Sequence, residues 1–211
     1  MTTTYEHTGT RMAGDERRLQ ILETAARLFS ENGFRGTTTK KIAKASGISE
    51  AMVFRHFESK EDLYSAILDH KACSMGLKNP FEDVAEEINS KDDYGLFYGI
   101  ALNALTHHRE DKEFIRLLLY SALEGHDLNR MFLESYVSVM NEFLSRYIKT
   151  RQEDGVFVEI EPKIIVRAFV GMMIHHSLSN TLWDKEQQIL KISDEEAAGN
   201  FANILLKGIM K

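Results

Sequence analysis

Four consecutive polar residues, Thr38, Thr39, Lys40 and Lys41, stand at the expected start of a short helix. Free backbone N–H groups and two ammonium groups at such a helix start favour a bound phosphate. Lys60 offers the same at the start of the next long helix. Between these two anchors, a second short helix would present Ser49, Glu50, Ala51, Arg55 and His56 on its exposed face. Side chains of this kind, set between phosphate contacts, suit the reading of base edges in a major groove. His56 suits either a phosphate contact or packing. Standing alone, the Thr/Lys cluster reads equally well as an ordinary solvated helix start.

The elements that must hold these residues follow from periodicity and caps. Ile21, Leu22, Ala25, Leu28 and Phe29 form one apolar stripe of a helix that Asn32-Gly33 ends. Thr37-Thr38-Thr39 offers a capping hydroxyl to a helix over 40–45, which Ser46-Gly47 stops. Ser49 can cap a second short helix over 50–57, and Ser59 with Asp62 has the spacing of a capping box. Two short helices joined by a turn containing Gly47 have the length pattern of a helix-turn-helix. Ile42, Ala43, Ile48, Val53 and Phe57 are then core. Longer amphipathic segments follow over 81–89, 92–108, 111–123, 128–151, 162–183 and 194–210, with breaks at Asn79-Pro80, Gly125, Asp154-Gly155 and around Asp184. Residues 156–160 alternate, but a lone short strand has no partner here and reads as an extended connector. The expected class is all-α: a disordered tail over 1–14, a helix-turn-helix domain over 15–62, and a helical body over 63–211.

Charge divides the same way. The 211 residues carry a net charge of −6, yet residues 1–60 hold 10 Lys+Arg against 7 Asp+Glu, or +3, and residues 61–211 hold 16 against 25, or −9. A basic head on an acidic body permits nucleic-acid binding at one end only. The single cysteine, Cys73, excludes an internal disulfide and is expected as a small buried hydrophobe, consistent with a reducing cytoplasm. No basic-then-apolar leader opens the chain, so a cytoplasmic protein is expected. The most apolar uncharged stretch, Ala168 to Trp183, falls short of the roughly 20 residues of a spanning helix and contains two histidines, so no membrane partner is expected.

The run from Ile21 to Leu63 resembles the DNA-binding region of the TetR family of bacterial transcriptional repressors. The resemblance rests on Ile21, Ala25, Ala26, Leu28 and Phe29, then Gly33-Phe34, Thr38, Ile42-Ala43, Gly47-Ile48-Ser49, Phe54-Arg55-His56-Phe57 and Ser59-Lys60-Glu61-Asp62-Leu63. It implies a homodimer with two DNA-binding heads, a body holding an effector pocket, dimerisation through the last two helices, and binding to a palindromic operator in double-stranded DNA. Two positions depart from the family pattern. Phe54 stands where a Tyr hydroxyl commonly bonds a phosphate, which leaves Arg55 or Lys60 to take that contact. Lys41 stands where an acidic residue often completes the helix start, and adds a phosphate contact instead. The implied DNA-facing set is Thr38, Thr39, Lys40, Lys41, Ser49, Glu50, Ala51, Phe54, Arg55, His56 and Lys60.

The body is expected to supply a pocket and a dimer face. A helix over 168–183 that is apolar all round must be covered all round. Phe169, Val170, Met173, Ile174 and Leu178, with Phe201, Ile204 and Leu205 of the last helix, are the candidate partner-facing residues. Tyr98, Leu102, Tyr136, Met140, Met172, His175 and His176 are the candidate ligand-binding residues, suiting a small, largely apolar or aromatic effector with one polar head. A buried imidazole needs a hydrogen-bond partner, a ligand or water. No cofactor, metal site or catalytic residue is expected. Adjacent pairs such as His107-His108 and His175-His176 point about 100° apart on a helix and do not readily share one ion. Neither an HExxH nor a G-x-S-x-G motif occurs, and Cys73 has no identifiable base.

Overall fold

A computed structural model describes residues 14–74, 82–125 and 127–211. The expected tail, apart from Gly14, lies outside the described residues, as do the Asn79-Pro80 break and His126. The described chain is mostly helical and divides into two compact units between Ile67 and Leu68.

The first unit begins with α1, Gly14–Gly36, which is broken at Gly33 (φ 69°, ψ 175°), the glycine expected to end it. Helices α2 (Thr39–Ala45) and α3 (Glu50–His56) follow, then α4 (Lys60–Ser74). Their ends are fixed by local chemistry. Thr38 Oγ1 accepts from the Lys41 N–H at 3.2 Å, Ser49 Oγ from Met52 at 3.2 Å and Ser59 Oγ from Asp62 at 3.0 Å. The Asp62 carboxylate reaches back to the Glu58 N–H at 2.9 Å, one residue earlier than in a standard capping box. Gly47 turns α2 into α3 at φ 68°, a region L side chains rarely adopt. The core of the unit is Ile21, Leu22, Phe29, Ile42, Val53 and Phe57, closed by Leu63, Tyr64 and Ile67 of α4. Phe29, Phe34 and Tyr64 pack ring on ring, with centroids 4.7–5.7 Å apart. The first turns of α4 therefore belong to the head, past the expected boundary after residue 62. Ile48, expected in the core, is half-buried. Cys73, expected as buried, is exposed because it falls on the opposite side of α4 from Leu63, Ile67 and Leu68.

The second unit contains α5 (Ala85–Ser90), α6 (Asp93–Glu110), α7 (Lys112–Glu124), α8 (Asp127–Phe132), α9 (Ser138–Glu153), α10 (Pro162–Leu178) and α11 (Asp194–Ile209). A π turn, Leu133–Val137, joins α8 to α9, so the segment expected as one helix is continuous but underwound in its first half. A second π turn, Ser179–Trp183, ends α10. Leu96, Phe97, Leu144, Ile148, Phe169, Ala198 and Ala202 centre the core. Inside it, the Arg151 guanidinium forks onto Asp93 through two 2.8 Å bonds, holds Asp154 at 2.9 Å, and Tyr147 donates to the same Asp93 at 2.6 Å. The connector over 156–160 does find a partner. Phe157 makes an antiparallel bridge with Met210, and Val158 donates to Ile209 at 2.8 Å. That partner is the end of the last helix, which no alternation pattern reveals. Among the described residues no helix is long and apolar enough to cross a membrane.

Candidate functional site

The outward side of α2 and α3 gathers most of the residues expected to face DNA. Lys40, Lys41, Ser49, Glu50, Ala51 and Arg55 are exposed, and Phe54, an aromatic ring with no core to fill, is 49% exposed. This follows from the helical period, since Val53 is the one residue of α3 buried in the core. Thr39 donates to the Glu50 carboxylate and ties the start of α2 to the start of α3. Lys41 Nζ donates to the Gly36 carbonyl at 2.8 Å. Lys40, Lys44 and Arg55 make no hydrogen bond or ion pair with the described residues and point free charge outward. His56 is half-buried.

Lys60 is placed differently from expectation. Its ammonium donates to the Phe34 carbonyl and lies 3.8 Å from the centre of the Phe34 ring. It locks the start of α4 to the end of α1 by a charge-assisted bond and a cation–π contact. Sequence reasoning missed this because Phe34 and Lys60 are far apart in the chain.

The second unit holds a partly open cavity of about 190 Å³. Its wall is mostly apolar: Ile100, Phe114, Ile115 and Leu118 from α6 and α7, Phe132, Tyr136 and Met140 around the first π turn, and Val170, Met173 and Ile174 from α10. Its polar groups are Asp83, Asn103, His107, His108 and Asn141, together with the Tyr136 hydroxyl. Of the expected ligand residues, Tyr136 and Met140 line it. Tyr98, Leu102, Met172, His175 and His176 do not. Tyr98, Leu102 and Met172 pack against the core instead, and His175 is exposed beside Trp183, with ring centroids 5.8 Å apart. Conversely Val170, Met173 and Ile174, expected at a partner-facing surface, line the cavity. Phe169, Met173 and Leu205 are buried in the chain's own core. The reason is rotational: sixteen uncharged residues with apolar groups on every side give no phase for the helix.

His108, in the last turn of α6, is turned inward. Its Nδ1 and Ser177 Oγ lie 2.8 Å apart. Burial, and then the neighbouring His107, holds its pKa down to about 4 against the pull of Asp194. His108 also forms the wall of a small polar pocket of about 40 Å³ that contains Arg109, His176, Ser177, Asn180 and Asp194. There Arg109 pairs with Asp194 at 2.7 Å, and Asn180 Nδ2 lies 3.0 Å from His176 Nε2. Burial also pushes the His176 pKa down. Among the described residues no group of three His, Cys, Asp or Glu side chains is placed to hold a metal ion.

Comparison with known proteins agrees with this geometry. Residues 21–67 match the family model described as bacterial regulatory proteins, tetR family. The chain is 31% identical over 139 residues to the uncharacterized HTH-type transcriptional regulator YvkB of Bacillus subtilis, spanning 65% of this chain and 68% of that protein. Over 67 residues it is 37% identical to the HTH-type transcriptional regulator AcrR of Shigella flexneri, spanning 32% of this chain and 31% of that one. In fold it is similar to AibR, solved in complex with isovaleryl coenzyme A and operator DNA, with a TM-score of 0.68 and 23% identity over 90% of this chain and 98% of that one. An N-terminal helix-turn-helix followed by a helical body, a family match over the helix-turn-helix and a regulator relative matched over most of its length together make this chain a DNA-binding transcriptional regulator of the tetR family.

Proposed function

We propose that the chain acts as a homodimeric repressor that binds a palindromic operator and releases it when a small, largely apolar effector fills the cavity of the second unit. The observation that carries the reading is the α2–α3 face, where Ser49, Ala51, Phe54 and Arg55 stand exposed beside the unpaired charges of Lys40 and Lys44. In this reading α3 enters the major groove. Lys40 and Lys41, with Thr38 and Thr39 at the start of α2, take the phosphates, and Arg55 reads a base edge. Lys60 supports the fold of the head and leaves the phosphate that the family's usual Tyr would bind to Arg55 or His56.

The outer sides of α10 and α11 supply the proposed dimer face. Ile164 and Ile204 are large apolar side chains exposed there, and Leu178 is half-buried. A palindrome with half-sites one turn of DNA apart requires the paired chains to hold two α3 helices about 34–36 Å apart. The effector would act by favouring a dimer whose heads are wrongly spaced, and could shift DNA affinity only by its own difference in affinity for the two states. AibR, of the same fold, was solved with isovaleryl coenzyme A and operator DNA, which supports a ligand-responsive reading here; a cytoplasmic location is part of the same proposal.

The test is selection of bound sequences from random duplex DNA at two salt concentrations, using protein refolded free of small molecules. An enriched palindrome whose binding weakens with salt is expected. Lys40→Ala should weaken binding to all sequences alike and lower the salt slope by about 1, whereas Arg55→Ala should cost about 1–3 kcal/mol and relax preference at one base pair. No enrichment at either salt would end the repressor reading.

A further inference from the structure

We infer that the cavity takes an uncharged, mostly apolar molecule bearing one hydroxyl group, and that Nε2 of His108 is the atom that recognises that hydroxyl. The inference rests on the effector reading only in calling such a molecule an effector; the recognition itself follows from the wall of the cavity.

Among the described residues no lysine or arginine lines the cavity, and the one carboxylate among them, Asp83, repels an anion. A carboxylate or phosphate seated there would lose much of its water and meet no cation among the described residues, which is costly. His108 does not supply the missing charge, because burial keeps its ring neutral at pH 7. What it does supply is one fixed polar atom. Ser177 lines the small polar pocket but not the cavity, and it engages Nδ1 of the ring. The imidazole is thereby oriented, and Nε2, which bonds to no described residue, is left for a molecule in the cavity. A hydroxyl can donate to or accept from that nitrogen, so it fits whichever tautomer Ser177 selects.

The rest of the wall fixes the body of the molecule. Phe114 and Phe132 pack edge to face at 5.7 Å, and Phe132 meets Tyr136 at 5.8 Å. With Met140 beside them, these rings favour an aromatic or compact aliphatic group. At about 190 Å³ the space is below the roughly 300–1,000 Å³ of pockets for drug-sized ligands, so the molecule is small.

The experiment is calorimetric titration of the intact protein at pH 7.5 with three compounds of nearly equal shape: 4-propylphenol, 4-propyltoluene and 4-propylbenzoate. The phenol should bind about tenfold tighter than the toluene, the worth of one buried hydrogen bond, and the benzoate weaker than either. His108→Leu should bring the phenol down to the level of the toluene while leaving the toluene unchanged. If that variant fails to fold, the phenol-to-toluene ratio on the unaltered chain still decides whether a polar atom reads the hydroxyl. The proposal is overturned if the benzoate binds as tightly as the phenol, if the phenol keeps its advantage in His108→Leu, or if none of the three binds. DNA binding is measured separately. Loss of sequence-selective DNA binding would remove the regulator reading and leave these ratios standing, whereas phenol binding that leaves DNA affinity unchanged would remove only the word effector.

Discussion

The α2–α3 face and the interior of the body treat their cationic side chains in opposite ways. On the α2–α3 face, Lys40, Lys44 and Arg55 hold their charge in water with no partner among the described residues. In the body, Arg151 is locked into a carboxylate pair and His108 is stripped of its proton by burial. A polyanion attracts charge at long range and tolerates loose geometry, so the head needs exposed cations on a helical frame more than a dry pocket. A small ligand offers only short-range contacts, so the body must exclude water and fix each polar atom. The split in net charge, +3 over residues 1–60 and −9 over residues 61–211, is the same division at the scale of the whole chain.

The largest effect expected from a single change lies in the body. Asp93→Ala removes the forked partner of the Arg151 guanidinium and the acceptor of Tyr147, leaving Asp154 as the remaining carboxylate, and should cost about 3 kcal/mol or somewhat more. Chemical denaturation followed by circular dichroism would show it, with faster amide exchange in α6 and α9. If the midpoint barely moves, the body is not held by buried charge as claimed.

A somewhat smaller effect is expected from His108, and it depends on pH. Its folded pKa of about 4 lies below the ordinary 6.5, so the unfolded chain takes up the proton first. Stability from this group is therefore complete above about pH 6.5 and is lost as pH falls toward 4, by on the order of 3 kcal/mol in all. His176 is shifted in the same direction. Denaturation midpoints between pH 4 and 7 should fall steeply with acid, and His108→Gln should flatten that slope. An unchanged slope would mean that the ring is solvated, and the contrast with the exposed head would weaken.

The smallest effect belongs to the head. At Gly47 a Cβ meets nothing within 4 Å, yet φ is +68°. Gly47→Ala should therefore cost about 1–2 kcal/mol through backbone strain alone. DNA affinity should fall with it, because the turn sets α3 against α2. Thermal unfolding and a DNA titration on the same variant would separate the two consequences.

How much of each region could be read from the chain follows the same contrast. The caps at Thr38, Ser49 and Ser59, the stop at Gly33 and the turn at Gly47 bond or bend within a few residues, and all were visible in residue types and spacing. The exposed face of α3 was visible because only Val53 serves the core. The cavity was not. His108 and Ser177 meet across 69 positions, and Lys60 reaches Phe34 across 26. The two π turns have no marker in the residues that form them.

Helix positions, their ends, the basic head and the family motif are set by interactions of short range along the chain, where residue type and period suffice. Which side of α10 lines the cavity, which histidine is turned inward and neutral, and what the connector over 156–160 pairs with were decided only when distant helices packed. Rotational phase and burial are properties of the packed whole, and a helix that is apolar on every side carries no record of them in its own residues.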